Sequence, residues 1–323
     1  MAGQVPTVKR PAPQFPSPAR RWFGKYWVPY LYISPFYILF AIFGIFPIIY
    51  SLYLSFIQWN GISRASHLWV WFDNYRTILT DQLFWKAIYN TLWIGVVAHA
   101  VMLPTALILA FLFNSKLVRF REFFRTTYFM PVITGTVAVS IVFGIMFGTQ
   151  FGVFNWFLEL LHLPKIDWYR GQGGMWVKPM VAIVMNWRWI GWNMVIYLAG
   201  LQAIPMELYE AAAIDGARLS QIFRYITVPL MKPTILFTLV LSTIGTMTLF
   251  DEPQILVGGD GGYAYQGLTA AMYIVRDAFR FTHFGTAAAA SYVVAVLVFV
   301  ISMLATRLLG GGRGIYEIEE GKR

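Results

Sequence analysis

An arginine set among tryptophans, Asn186-Trp187-Arg188-Trp189-Ile190-Gly191-Trp192-Asn193, lies inside one of the long apolar runs of this chain. Such a group suits recognition: a guanidinium donates hydrogen bonds to hydroxyls, and indole faces stack on sugar rings. An ionisable residue that deep among apolar neighbours is costly and faces a cavity or a partner. The alternative is a structural arginine that holds a neighbouring helix or subunit through backbone carbonyls. The next apolar run adds Ser242, Thr243, Thr246 and Thr248 around Gly245, small and hydroxylated residues that line a pathway or pack helices together. Trp187, Arg188, Trp189, Asn193, Ser242 and Thr246 therefore form the candidate pathway set. Asp251 and Glu252, at the outer end of that run, fit a solvated loop start or a contact to a docking partner.

Signatures of enzyme chemistry are missing. His67, His99, His162 and His283 are scattered without metal-ligand spacing, and no cysteine is available as thiolate, nucleophile or disulfide partner. The glycines at 310–314 follow an apolar run rather than a strand, so a flexible exit is expected there instead of a phosphate cradle. Gly321-Lys322 is followed by Arg323, where a phosphate-binding loop needs Ser or Thr. No metal or ATP is expected on this chain.

A second polar group interrupts the apolar runs at 205–233. Pro205 with Glu207 and Glu210 suits a short helix start, because carboxylates favour the positive end of the helix dipole. Gly216 stops or bends that helix, and another is expected to begin near Ser220, ahead of Pro229 and Pro233.

These groups must be positioned by membrane-spanning elements. The chain is 58% hydrophobic and 12% charged, against about 25% charged in a soluble protein. Its excess of 25 Lys and Arg over 15 Asp and Glu is read as basic loops on one membrane face, and nucleic acid is not an expected partner. Six runs of spanning length, near 31–57, 88–113, 124–147, 178–200, 229–250 and 286–308, predict an all-α polytopic fold in contact with membrane lipid. The first is too long for a signal-peptide core and is expected to be a tilted span kinked at Pro47. Six spans place both termini on one side. With the N-terminus inside, sixteen Lys and Arg fall inside and eight outside, Arg188 remaining in a span, which supports an N-in, C-in topology. The expected organisation is a disordered basic tail at 1–28, a transmembrane domain at 29–309 with a cytoplasmic loop at 205–228, and a cytoplasmic tail at 310–323. The outer loops, rich in Trp, Tyr and Gly, carry motifs such as Trp69-Val70-Trp71-Phe72 that suit the membrane surface.

Glu210-Ala211-Ala212, Asp215-Gly216-Ala217, Phe223, Ile226, Val228-Pro229 and Pro233 closely resemble the E-A-A loop of ABC importer permeases, with Val228 in place of the commoner Leu. Asp73-Asn74-Tyr75, Phe84-Trp85, Asn90-Thr91, Phe123-Phe124-Arg125, the stretch from Trp192-Asn193 to Pro205, and Leu241–Gly245 before Phe250-Asp251 are similar to the carbohydrate-uptake branch of that family. One departure is 257–262, Val-Gly-Gly-Asp-Gly-Gly, where the branch has T-G-G-G-P; losing that proline leaves the shape of the outer loop open. The resemblance implies a type I importer transmembrane domain in the cytoplasmic (inner) membrane of a prokaryote, translocating a di- or oligosaccharide by alternating access. It also implies a second, similar permease subunit, two ATPase subunits that hold ATP and Mg, and an extracytoplasmic solute-binding protein that delivers the sugar. Glu207, Glu210, Ala211, Ala212, Asp215, Gly216 and Ala217 would couple to the ATPases, and Asp251 and Glu252 would meet the binding protein. A glycerol-phosphate or glycerophosphodiester importer would share most of these motifs. An ion-gradient-driven secondary transporter fits less well, since the spans hold almost no acids.

Overall fold

The computed structural model describes residues 27–61, 67–115 and 118–310. Of the expected tails at 1–28 and 310–323, residues 1–26 and 311–323 lie outside the described residues, as does Lys116 of the basic turn. The chain divides into two units, Met1–Tyr53 and Leu54–Arg323.

In the first unit, α1 (Val28–Phe40) runs through a π-helical turn at Ala41–Ile45 into α2 (Phe46–Ser55), whose last residues enter the second unit. Pro47 cannot donate to an α-helical ladder, and its ring crowds the carbonyl four residues back. The wider turn ahead of it lets the Phe46 N–H reach the Ala41 carbonyl. The kink expected at Pro47 is thus taken up as a π bulge in the preceding turn.

The second unit begins with a two-stranded antiparallel ribbon, β1 (Ile57–Gln58) and β2 (Leu68–Trp69), in which Ile57 faces Trp69. A short helix α3 (Asp73–Thr80) leads into α4 (Gln82–Asn114), which is capped by Asp81 accepting from the Leu83 N–H at 2.7 Å. Next come α5 (Arg121–Ile133), α6 (Thr136–Met146), α7 (Val153–Leu160) and α8 (Val177–Gln202). Beyond these lie α9 (Met206–Ile214), α10 (Leu219–Ile222), α11 (Lys232–Met247), α12 (Asp251–Val257), α13 (Ala270–Val275) and α14 (Phe284–Gly310).

Among the described residues, three helical stretches are long and apolar enough to cross a membrane: Pro29–Ser55, Gln82–Asn114 and Phe284–Leu308. Two bent pairs add up to two more. The run at 124–147, expected as one span, is instead α5 and α6 meeting at 97°. The break falls at Thr134, whose ψ of 137° is extended, just beyond a helical Pro131 that donates no hydrogen bond. The run at 229–250 becomes α11, set at 67° to the segment Leu219–Leu230. Pro229 and Pro233 bracket that bend, each removing a backbone donor. The remaining long helix, α8, makes its most extensive contact with α4 and is among the most buried in the unit.

Close approach of α8 to α5 depends on Gly191. A Cβ there would lie 1.8 Å from the Tyr128 carbonyl oxygen. Two apolar cores flank this crossing. One gathers Ile94, Phe143, Phe147, Trp168 and Met180, and the other Met102, Phe111, Tyr197, Leu201 and Met231. A third joins Phe84, Met247, Leu268 and Tyr273.

Several residues singled out in the sequence are buried polar staples. Asn74 donates from Nδ2 to the carbonyls of Ser55 and Ile57, both at 2.9 Å. Asn90 donates to the carbonyls of Tyr265 at 2.8 Å and Leu268 at 3.0 Å, while Thr91 Oγ1 accepts from the Ala270 N–H. Buried carbonyls left bare would each cost about 1–3 kcal/mol, so these side chains fix the outer loops by satisfying them. The loop at 257–262, whose shape the missing proline left open, is held by Asp260, which accepts from Arg280 Nη1 at 2.7 Å and Arg276 Nη1 at 3.4 Å.

Candidate functional site

Helical spacing builds the first site. Met185, Arg188, Trp189, Trp192, Asn193 and Ile196 recur at intervals of three and four residues, so they share one face of α8. Opposite them α11 presents Leu241, Ser242 and Gly245, and the chain then turns through Thr248, Leu249 and Phe250 into Asp251 and Glu252. Met102 of α4 and Thr136 of α6 complete the lining of a cavity of about 360 Å³.

Arg188 is its electrostatic centre. Nη1 donates to Glu252 Oε1 at 3.1 Å and to the Thr136 hydroxyl, and the guanidinium lies 5.5 Å from the Trp189 ring centroid. The side chains of the pair are only 11% and 7% exposed, so this is a desolvated ion pair. Arg188 Nε carries no hydrogen bond. One residue thereby ties together α8, the start of α6 beyond the 97° bend, and α12. Asn193 donates to the Trp189 carbonyl and accepts from Ser242 Oγ at 3.3 Å, linking α8 to α11.

Four of the six candidate pathway residues therefore come together: Arg188, Trp189, Asn193 and Ser242. Trp187 does not. It projects about 100° around α8 from Arg188, packs edge-on against Phe143 at 5.3 Å and lines a separate apolar recess with Ile183 and Val142. Thr246 is also elsewhere, buried against α4, with its hydroxyl 3.2 Å from His99 Nε2. Arg188 lines the cavity, and its ties are to a carboxylate and a hydroxyl instead of backbone carbonyls. Sequence reasoning passed over Trp192, Thr136 and the inward role of Glu252. The three- and four-residue spacing from Arg188 would have found Trp192; the other two required the packing. Glu252 lines the cavity and is 6% exposed, whereas Asp251 is exposed. Among the described residues no group of three or more His, Asp or Glu comes together as a metal site would require.

The second site is the loop at 205–228. Helix α9 ends in a Schellman arrangement: the Gly216 N–H bonds to the Ala213 carbonyl at 3.1 Å and the Ala217 N–H to the Ala212 carbonyl at 2.9 Å. Gly216 has φ +73°, where any β-carbon is opposed, and nothing lies within 4 Å of a Cβ built there. The demand for glycine is therefore conformational and not steric. Helix α10 is capped at Arg218, two residues before the expected Ser220, because the Gln221 carboxamide accepts from the Arg218 N–H at 2.7 Å. The loop is seated on the second apolar core through Tyr209, Ile222, Phe223 and Val228. Glu207, Glu210, Ala211, Asp215 and Gly216 are exposed, Ala212 and Ala217 half-buried. Met206, Leu208, Ile214 and Tyr225 add exposed apolar surface, Ile214 at 87%. A shallow recess beside Gly216 is lined by Gln221, Ile222, Tyr225 and Ile226. An anionic helix with an apolar fringe, held firmly from behind, is suited to docking against a second protein.

Residues 102–310 match the family model described as binding-protein-dependent transport system inner membrane component. The lactose transport system permease protein LacF of Rhizobium radiobacter is 38% identical over 85% of this chain and 91% of its own length. The arabinooligosaccharides transport system permease protein AraP of Bacillus subtilis is 34% identical over 91% of this chain and 92% of its own. A crystal structure of a bacterial alginate ABC transporter, in complex with an alginate pentasaccharide-bound periplasmic protein, has a chain that superimposes with a TM-score of 0.75. That chain is 25% identical, and the match covers 89% of this chain and 96% of that one. Such relatives are permease subunits, not catalysts, and ion-gradient-driven transport is set aside with them. The chain belongs to the inner membrane component family of binding-protein-dependent transport systems, as a multi-pass permease subunit of the sugar-uptake branch of ABC importers, with the type I fold, in a prokaryotic cytoplasmic membrane.

Proposed function

We propose that this subunit carries a di- or oligosaccharide across the membrane by alternating access, through the cavity between α8, α11 and α12. The observation that supports this most is the cavity itself: two tryptophans, a buried Arg188–Glu252 pair and the amide of Asn193 converge among otherwise apolar helices. Such a lining offers stacking faces and hydrogen-bonding groups to a polyol. The relatives named for lactose and arabinooligosaccharides favour a sugar over a glycerol phosphate.

In this reading six spans set both termini and the loop at 205–228 in the cytoplasm. Two ATPase subunits holding ATP and Mg receive Glu207, Glu210 and the exposed face of α9. A second permease subunit completes the pathway. An extracytoplasmic binding protein, as in the alginate complex, delivers the sugar near Asp251. Inverting a conformational equilibrium from 1:99 to 99:1 needs about 5.5 kcal/mol, which a loop rigidly seated on the second core can transmit.

The test is uptake. Proteoliposomes holding the assembled importer and its binding protein are offered a panel of labelled di- and oligosaccharides and glycerol phosphates. ATP-dependent accumulation of a saccharide is expected, and accumulation of glycerol phosphates alone refutes the reading.

A further inference from the structure

The cavity's charges are few and unevenly placed. Among the described residues that line it only Arg188, Asp251 and Glu252 are ionic, one cation against two anions. The guanidinium is already engaged by Glu252 at 3.1 Å and by the Thr136 hydroxyl, in a contact largely shielded from water. What remains toward the cavity is a neutralised pair and the exposed carboxylate of Asp251. A sugar acid or sugar phosphate entering here would meet Asp251 unopposed. An anion approaching Arg188 would compete with Glu252 for the one cation present and add its charge to the two carboxylates already there, one of them buried. A neutral saccharide faces neither penalty: its hydroxyls hydrogen-bond, and its rings stack on Trp189 and Trp192.

We propose that this cavity selects uncharged saccharides over their acidic counterparts, with Asp251 and the Glu252-capped Arg188 as specificity-determining residues. The proposal rests on the carbohydrate pathway described above and names the substrate class that pathway admits. Because the binding protein imposes its own selection, the measurement leaves it out. Saturation-transfer difference NMR is recorded on the assembled permease–ATPase complex in nanodiscs. The probes are lactose, maltotriose and arabinotriose, each paired with its aldonate.

Transfer to the neutral sugars is expected to exceed transfer to the aldonates by about tenfold. In Asp251→Asn and in Glu252→Gln the aldonates should rise to within about threefold of the neutral sugars. Should Glu252→Gln fail to assemble, the pair-neutral variant Arg188→Gln/Glu252→Gln, which keeps Asp251, should retain the preference and lose it when Asp251→Asn is added. Equal transfer to neutral and acidic probes in the wild type, or an unchanged preference in Asp251→Asn, overturns the selectivity and leaves sugar transport standing. No transfer to any probe overturns the carbohydrate reading on which it rests.

Discussion

At the scale of single residues, Arg188 carries more than one role, and the physics separates them. Removing one partner of a buried ion pair leaves the other charge uncompensated, at about 3–5 kcal/mol, whereas replacing both by neutral groups of similar volume is far milder. Arg188→Ala and Glu252→Ala are each expected to lower the thermal midpoint of the purified complex markedly. Arg188→Gln/Glu252→Gln should recover most of that loss, and additive losses in a double-mutant cycle would show that the two side chains are not coupled. Asp260 makes a separate prediction at the surface. The Arg280 hydrogen bond, aided by the charges of Arg280 and Arg276, holds its carboxyl below the usual range. A depressed folded value means that the contribution is fully present above the unfolded value of about 3.9 and fades as pH falls below it. Pepsin should therefore begin to cut the 258–268 loop as pH drops below about 4, while in Asp260→Asn the loop should be cut equally across that range. With Asp260 half exposed, the effect belongs to the loop and not to global stability.

At the scale of elements, α9 and its Schellman end decide whether the loop can act as a firm docking element. Since nothing crowds a Cβ at Gly216, substitutions there should rank by tolerance of a positive φ and not by size. Gly216→Asn is expected to keep most transport. Gly216→Val should leave the chain inserted and assembled but abolish uptake and binding-protein-stimulated ATP hydrolysis, and normal activity in that variant would remove the loop from the coupling path. The bend between α5 and α6 is the other element-scale feature. Arg188 grips Thr136 immediately after it, so the cavity wall and the bend are mechanically joined.

At the scale of the whole molecule, the exposed acidic and apolar surface of α9 and the cavity opening point to partners, and co-purification from the native membrane should bring down ATPase subunits and a second permease. A chain that purifies alone and still transports would contradict that organisation. Much of this architecture was legible in the linear order of residues. Long apolar runs marked the membrane elements, because a helix in lipid must be apolar along its whole length. The Pro-Glu start and the Gly216 stop of α9 were legible because caps and left-handed turns are governed by residues adjacent in the chain. Arg188 stood out because a charge among apolar residues is costly wherever it sits. Local pattern could not show that 124–147 breaks at Thr134. Nor could it pair Arg188 with Glu252, 64 positions away in the chain. By itself the sequence determined which segments are helical and apolar and where the special turns lie, since those depend on neighbours within a turn or two. Which side chains share the cavity, and with what net charge, was decided only by the tertiary structure, because it depends on how α6, α8, α11 and α12 pack across long intervals of sequence.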